Sequence, residues 1–135
     1  MSYCTQQDLI ERFTEIELIQ LTDVDNLGVI NTVTVDRALA DTDAEIDGYL
    51  AGRYNLPLTT PVATLNQKAC DIARFHLHTR KVPENVQKRY DAVIHYFEQV
   101  AKGNIKLPIA ATDTAQINTN EATMTSNKNV FGRRY

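Results

Sequence analysis

VDRALADTDAEIDGYLAGRY, residues 35–54, is the stretch whose reading decides the fold. Its apolar positions are Val35, Ala38, Leu39, Ile46, Tyr49, Leu50 and Tyr54, separated by steps of three and four or their sums. Such steps lay one apolar stripe along a helix of about 3.6 residues per turn. Asp36, Arg37, Asp41, Asp43, Glu45, Asp47 and Arg53 fall mostly between the stripe positions. At about 1.5 Å per residue such a helix runs about 30 Å, the width of a small domain. The other helices must therefore pack on it. Pro57 disfavours helix in the residue before it, so the long helix is expected to end around residues 53–55.

Moving outward, residues 5–21 carry a second helical pattern. Thr5 and Asp8 have the spacing of a capping box. Leu9, Ile10 and Phe13 make one face, which Ile16, Ile19 and Leu21 continue after an expected break near Thr14. Residues 22–32, TDVDNLGVINT, read as a connection. Asp23, Asp25 and Gly28 suggest a calcium loop, but Leu27 and Thr34 stand where such a loop needs an oxygen ligand and a Glu. A turn closed by Asp and Asn is the better reading.

On the other side, YNLPLTTP at 54–61 is a short link, and Pro61 suits the start of the next helix. Residues 62–80 present Val62, Leu65, Ala69, Ile72, Ala73, His76 and Leu77 as a stripe. Val82-Pro83 interrupts the chain. Residues 84–102 then give the cleanest pattern, Val86, Tyr90, Val93, Ile94, Phe97, Val100 and Ala101, closed by Gly103. The short connection makes these two helices antiparallel neighbours. The fold class is therefore all-α, a small four- to five-helix bundle over residues 1–107.

Beyond that core the composition turns to Thr, Asn and Ala, without a sustained period between 112 and 129. Such a segment buries little apolar surface within its own chain. It nevertheless ends in an apolar and basic peptide, Val130, Phe131, Gly132, Arg133, Arg134, Tyr135. Residues 108–135 are expected to be an extended arm that orders on a partner. Val130, Phe131 and Tyr135 are its apolar anchors, and Arg133 and Arg134 its charged ones.

The 135 residues suffice for one domain with a workable core. A net charge of −3 points to neither a nucleic acid nor a membrane surface. No run approaches the ~20 apolar residues of a membrane span, and MSYCTQQDL has no secretory character. Two cysteines, Cys4 and Cys70, lie apart with no CxxC spacing, which fits a reducing compartment.

Little in the chain suggests catalysis. His76 and His78 are two apart, so they cannot chelate one metal from one helix face. His76 reads as a hydrogen-bonded core histidine, and His95 belongs to the last helix. Cys70 has no base at a useful spacing and reads as a small buried hydrophobe. The acidic run is more often a solvated helix face. Asp41, Asp43 and Asp47 could also meet a neighbouring copy's Arg133 and Arg134, or line a channel. Lys68, Arg74, Arg80, Lys81, Lys88 and Arg89 make the last two helices basic, so one copy's acidic helix could face the next copy's basic pair.

Several passages in order carry a family resemblance: QDLIERF, ELIQLTDVDNLGVIN, VDRALADTDAEIDGYLAGRYNLPL, ACDIARFHLHTR, RYDAVIHYFEQVAKGNIKLPI and the closing VFGRRY. The set resembles the Mu-like phage and prophage family typified by Mu gene product thirty-six. That family is similar to head–tail connector proteins, also called adaptor or head-completion proteins. The resemblance implies a non-enzymatic structural subunit of the virion neck, assembled in the host bacterial cytoplasm. It implies a twelve-fold ring of copies docked beneath the phage portal protein, with a tail or stopper protein below. DNA would be only passing cargo in the channel, with no membrane, cofactor or metal involved. The rival expectation is a small cytoplasmic adaptor or regulator that binds protein and forms no rings.

Overall fold

Thr5 starts the first helix as its spacing with Asp8 predicts. The Thr5 hydroxyl accepts from the Asp8 N–H at 3.2 Å, and the Asp8 carboxylate accepts from the Thr5 N–H at 3.0 Å. The computed structural model describes residues 2–59 and 62–108, and among them it holds five helices and no strand. α1 (Gln6–Phe13) and α2 (Glu15–Thr22) are separated at Thr14, the expected break. Thr14 sits at φ 83, an unusual conformation for a β-branched residue. It is held from both sides. Its N–H closes α1 on Ile10 O at 2.9 Å, and its hydroxyl caps α2 by accepting from Glu17 N–H.

The connection from α2 to α3 is an Asp and Asn turn, as the residue types predict. Asp23 accepts from the N–H groups of Leu27 and Gly28 at 2.8 and 2.7 Å, with Asn26 and Gly28 at positive φ. Its carboxylate is satisfied by its own loop. Underneath, the buried Thr22 hydroxyl donates to Leu18 O at 2.7 Å and accepts from Asn31 N–H at 3.0 Å. Thr22→Val keeps the volume and removes both bonds, so it should cost about 1–3 kcal/mol, chiefly from the stranded Asn31 N–H. Urea unfolding reads this, and an unchanged midpoint would show that the strut carries nothing.

α3 (Thr32–Leu50) is the long central helix, capped by Asn31, whose side chain accepts from Thr34 N–H at 3.2 Å. It buries Val35, Ala38, Leu39, Ile46 and Leu50 from the expected stripe. It also buries Thr42, whose hydroxyl turns back to Ala38 O at 2.8 Å and so needs no water. The helix stops at Leu50, ahead of the expected 53–55. Arg53 and Tyr54 N–H both fold onto Leu50 O, at 3.0 and 2.9 Å. The cause is tertiary. Arg53 reaches the end of the last helix and donates to Ala101 O and Lys102 O at 2.8 and 3.0 Å. Tyr54 stays buried in the turn, and its hydroxyl accepts from Leu107 N–H at 3.1 Å.

α4 (Ala63–Leu77) and α5 (Glu84–Lys102) follow. Phe75 stacks on Tyr90 at 3.8 Å, and Lys68 lies over the Tyr96 ring at 4.8 Å. That register runs backwards along α4 and forwards along α5, so the two helices are antiparallel. α3 runs with α5, since Glu45 meets Tyr90 and Tyr49 stacks on Phe97. The core is the seam among α3, α4 and α5, with α1 laid across α3 and α4. Pro61, and the expected arm beyond residue 108 with Val130, Phe131, Arg133, Arg134 and Tyr135, lie outside the described residues.

Candidate partner-binding surfaces

The acidic run of α3 is divided between internal and external work. Asp43 accepts from Tyr3 N–H at 3.0 Å, and Asp47 accepts from the Tyr3 hydroxyl. Burial, and then these carboxylates, push the Tyr3 phenol well above its ordinary range. Glu45 takes His76 Nε2 at 2.9 Å and the Tyr90 hydroxyl at 2.8 Å. Burial and the Glu45 bond likewise push the Tyr90 phenol up. Asp36 and Asp41 face solvent. Of the three acids expected at a subunit or channel contact, Asp41 is open and Asp43 and Asp47 hold the segment ahead of α1.

The basic residues of α4 and α5 are similarly split. Arg74 forms a two-pronged pair with Glu17 at 2.7 and 3.0 Å, and its guanidinium lies 4.4 Å from the Phe13 ring centre. Arg89 Nη2 lies 3.0 Å from the Oδ1 of buried Asp71, which receives no aligned hydrogen bond from the described residues. Together with Arg12 they line an open polar cleft of about 500 Å³ between α1–α2 and α4–α5. Three guanidiniums against two carboxylates leave the cleft one net positive charge. Arg80 and Lys81 are exposed beyond the end of α4.

Apolar exposure is concentrated. The large hydrophobic side chains left open among the described residues are Ile16, Val24, Leu27, Val29 and Val33. Four of the five fall between α2 and the first turn of α3, with Val24 80% exposed. Scattered exposed apolar residues need no explanation, whereas a grouped set marks a surface that another molecule can cover. Sequence periodicity did not find this set, because its residues belong to a connection and carry no helical repeat.

Of the histidines, His76 is hydrogen-bonded to Glu45 as expected and only partly buried, His78 Nδ1 meets Arg74 O at 2.9 Å, and His95 is exposed. No three His, Cys, Asp or Glu side chains among the described residues are placed to hold a metal ion. No described helix is long and apolar enough to cross a membrane. The cysteines, far apart in sequence, meet in the core with their sulfurs 2.9 Å apart.

Comparison with known proteins bears out the family resemblance. The family described as Bacteriophage Mu, Gp36 matches residues 3–126. The chain belongs to the Bacteriophage Mu Gp36 family. Among Gp36 relatives, the Mu-like prophage FluMu protein gp36 of Haemophilus influenzae (strain ATCC 51907 / DSM 11121 / KW20 / Rd) is 34% identical over 131 residues. That alignment covers 97% of this chain and 93% of the relative. Gene product J of Escherichia phage Mu is 36% identical over 104 residues, covering 76% of this chain and 74% of that one. This Gp36 member is thus a phage protein with an all-helical core.

Proposed function

We propose that the chain is a non-catalytic structural subunit of the virion, a head–tail connector that forms a ring under the portal and links capsid to tail. Membership in a phage protein family supports the virion setting, and the connector role rests on the resemblance of that family to connector proteins. The surface is of the kind it requires. A rigid helical core offers a grouped apolar edge, a basic cleft and an exposed acidic turn of α3, all suited to contact with other chains. Many identical weak contacts around a ring sum to a stable assembly. The basic and aromatic tip at 130–135 supplies an attachment point for the portal or an adjacent copy. Ordering such an arm costs about 1–2 kcal/mol per residue of backbone freedom, so the free subunit stays monomeric until the portal templates it. In this reading the particle neck is its final location.

The test is electron microscopy with mass measurement on the full chain and on a version ending at Leu107, each with and without portal. The expected result is a ring or portal-bound collar with the full chain and its loss on truncation. A monomer indifferent to portal and to truncation would overturn the reading and favour a cytoplasmic adaptor that forms no rings.

A further inference from the structure

The segment ahead of α1 is fastened to the core through Tyr3. Tyr3 gives its N–H to Asp43 and its hydroxyl to Asp47 on α3, and Asn66 on α4 donates to Tyr3 O at 3.1 Å. The same Asn66 amide donates to Asp8 at 2.9 Å, tying the strap to the start of α1. These bonds bring Cys4 onto Cys70 in the middle of α4, with 2.9 Å between sulfurs and exposures of 1% and 0%. Two side chains 66 positions apart in sequence are thereby held at a separation shorter than ordinary van der Waals contact of sulfurs.

We propose that Cys4 and Cys70 are a redox pair that closes to an intrachain disulfide, stapling the segment 2–5 onto α4. The oxidant is a small-molecule disulfide of the glutathione class. In the first exchange the Cys70 thiolate attacks one sulfur of the oxidant, forming a mixed disulfide and releasing one thiol. In the second the Cys4 thiolate attacks the Cys70 sulfur, forming the Cys4–Cys70 bond and releasing the second thiol. Two hydrogens and two electrons pass from the protein to the oxidant, which leaves as two thiols.

The order of attack follows from the site. Either sulfur can donate across the 2.9 Å contact, and burial opposes ionisation of both thiols, so access and mobility decide the order. Cys70 is on the rigid helix, while Cys4 is on the strap. Both sulfurs are buried, so the oxidant gains access when residues 2–5 lift away. That opening breaks the bonds of Tyr3 and Asn66 and leaves the seam of α3, α4 and α5 intact. When the strap returns, Cys4 is delivered to the mixed disulfide. For a virion protein the consequence is direct, and this clause rests on the function proposed above: the pair stays open in a reducing cytoplasm and closes once the particle is outside.

The test uses the isolated full chain, so it succeeds or fails independently of any ring. The reduced protein is equilibrated with oxidised and reduced glutathione at graded ratios, quenched with acid and read by intact mass and non-reducing peptide mapping. The expected product is a monomer lighter by about 2 Da, the two hydrogens lost, with the peptides of Cys4 and Cys70 joined. Its melting temperature should exceed that of the reduced chain by about 10 °C, because the bridge closes a long loop in the unfolded state. Cys4→Ala should abolish both changes and instead accumulate the glutathione adduct at Cys70. Thiols that stay free at every ratio, a cross-link between two chains, or a stable adduct on the unaltered protein would each overturn the proposal.

Discussion

Phe97→Ala should lower the free energy of unfolding by about 3–5 kcal/mol. Phe97 is fully buried on α5 at the seam where α3 and α4 meet it. Its ring stacks on Tyr49 with centroids 5.9 Å apart and lies T-shaped to Tyr96 at 5.4 Å. Truncation removes the apolar transfer energy of the ring and leaves a void that three rigid helices cannot collapse into. Domains of this size carry only about 5–15 kcal/mol in all, so the variant should be partly unfolded near body temperature. Denaturant titration of circular dichroism at 222 nm measures it. A loss below about 1 kcal/mol, the level of an ordinary surface change, would mean that the ring is not packed as described.

The second large effect belongs to Gly103, which ends α5 at φ 86. Asn104 N–H closes back on Gln99 O at 2.9 Å, a helix stop that needs the left-handed conformation. A side chain there costs about 1 kcal/mol for the backbone alone. A Cβ would in addition lie 2.7 Å from Arg53 Cζ and under 3 Å from both terminal nitrogens. The guanidinium must then move, and it loses its bonds to Ala101 O and Lys102 O. Gly103→Ala should therefore cost about 2–3 kcal/mol, the backbone strain plus part of two charged hydrogen bonds. In an Arg53→Ala background the same change should cost only about 1 kcal/mol, because the clash is gone. Equal costs in the two backgrounds would refute the coupling between the turn after α3 and the end of α5.

Legibility in the sequence followed periodicity. α5 was readable to the residue because its stripe, its first-turn Glu84 and its terminal Gly103 all agree. The Thr5 capping box and the break at Thr14 were readable because capping is a local interaction. Where the reading missed, a distant partner was responsible. α3 stops at Leu50 since Arg53 is drawn to the α5 carbonyls. The acids of α3 look like one solvated face, yet Asp43, Glu45 and Asp47 are claimed by Tyr3, His76 and Tyr90. Among candidate surfaces, the apolar edge from Val24 to Val33 carries no repeat and the cleft of Arg12, Arg74 and Arg89 is assembled from α1, α4 and α5, so neither could be read along the chain.

By itself the sequence determined the helical class, the order of the helices and their number to within one, most of the buried stripe and the family. Each of these depends on residues within a few turns of one another, or on their order along the chain. Only the tertiary structure decided which charges are free and which are spent inside, where apolar surface remains uncovered, and that Cys4 and Cys70 are neighbours. Those properties depend on pairs 30 to 70 residues apart, such as Cys4 with Cys70, 66 apart, and Tyr3 with Asp43, 40 apart. No local spacing encodes them, because the contacts exist only once α1 lies across α3 and α4 and the central seam has closed.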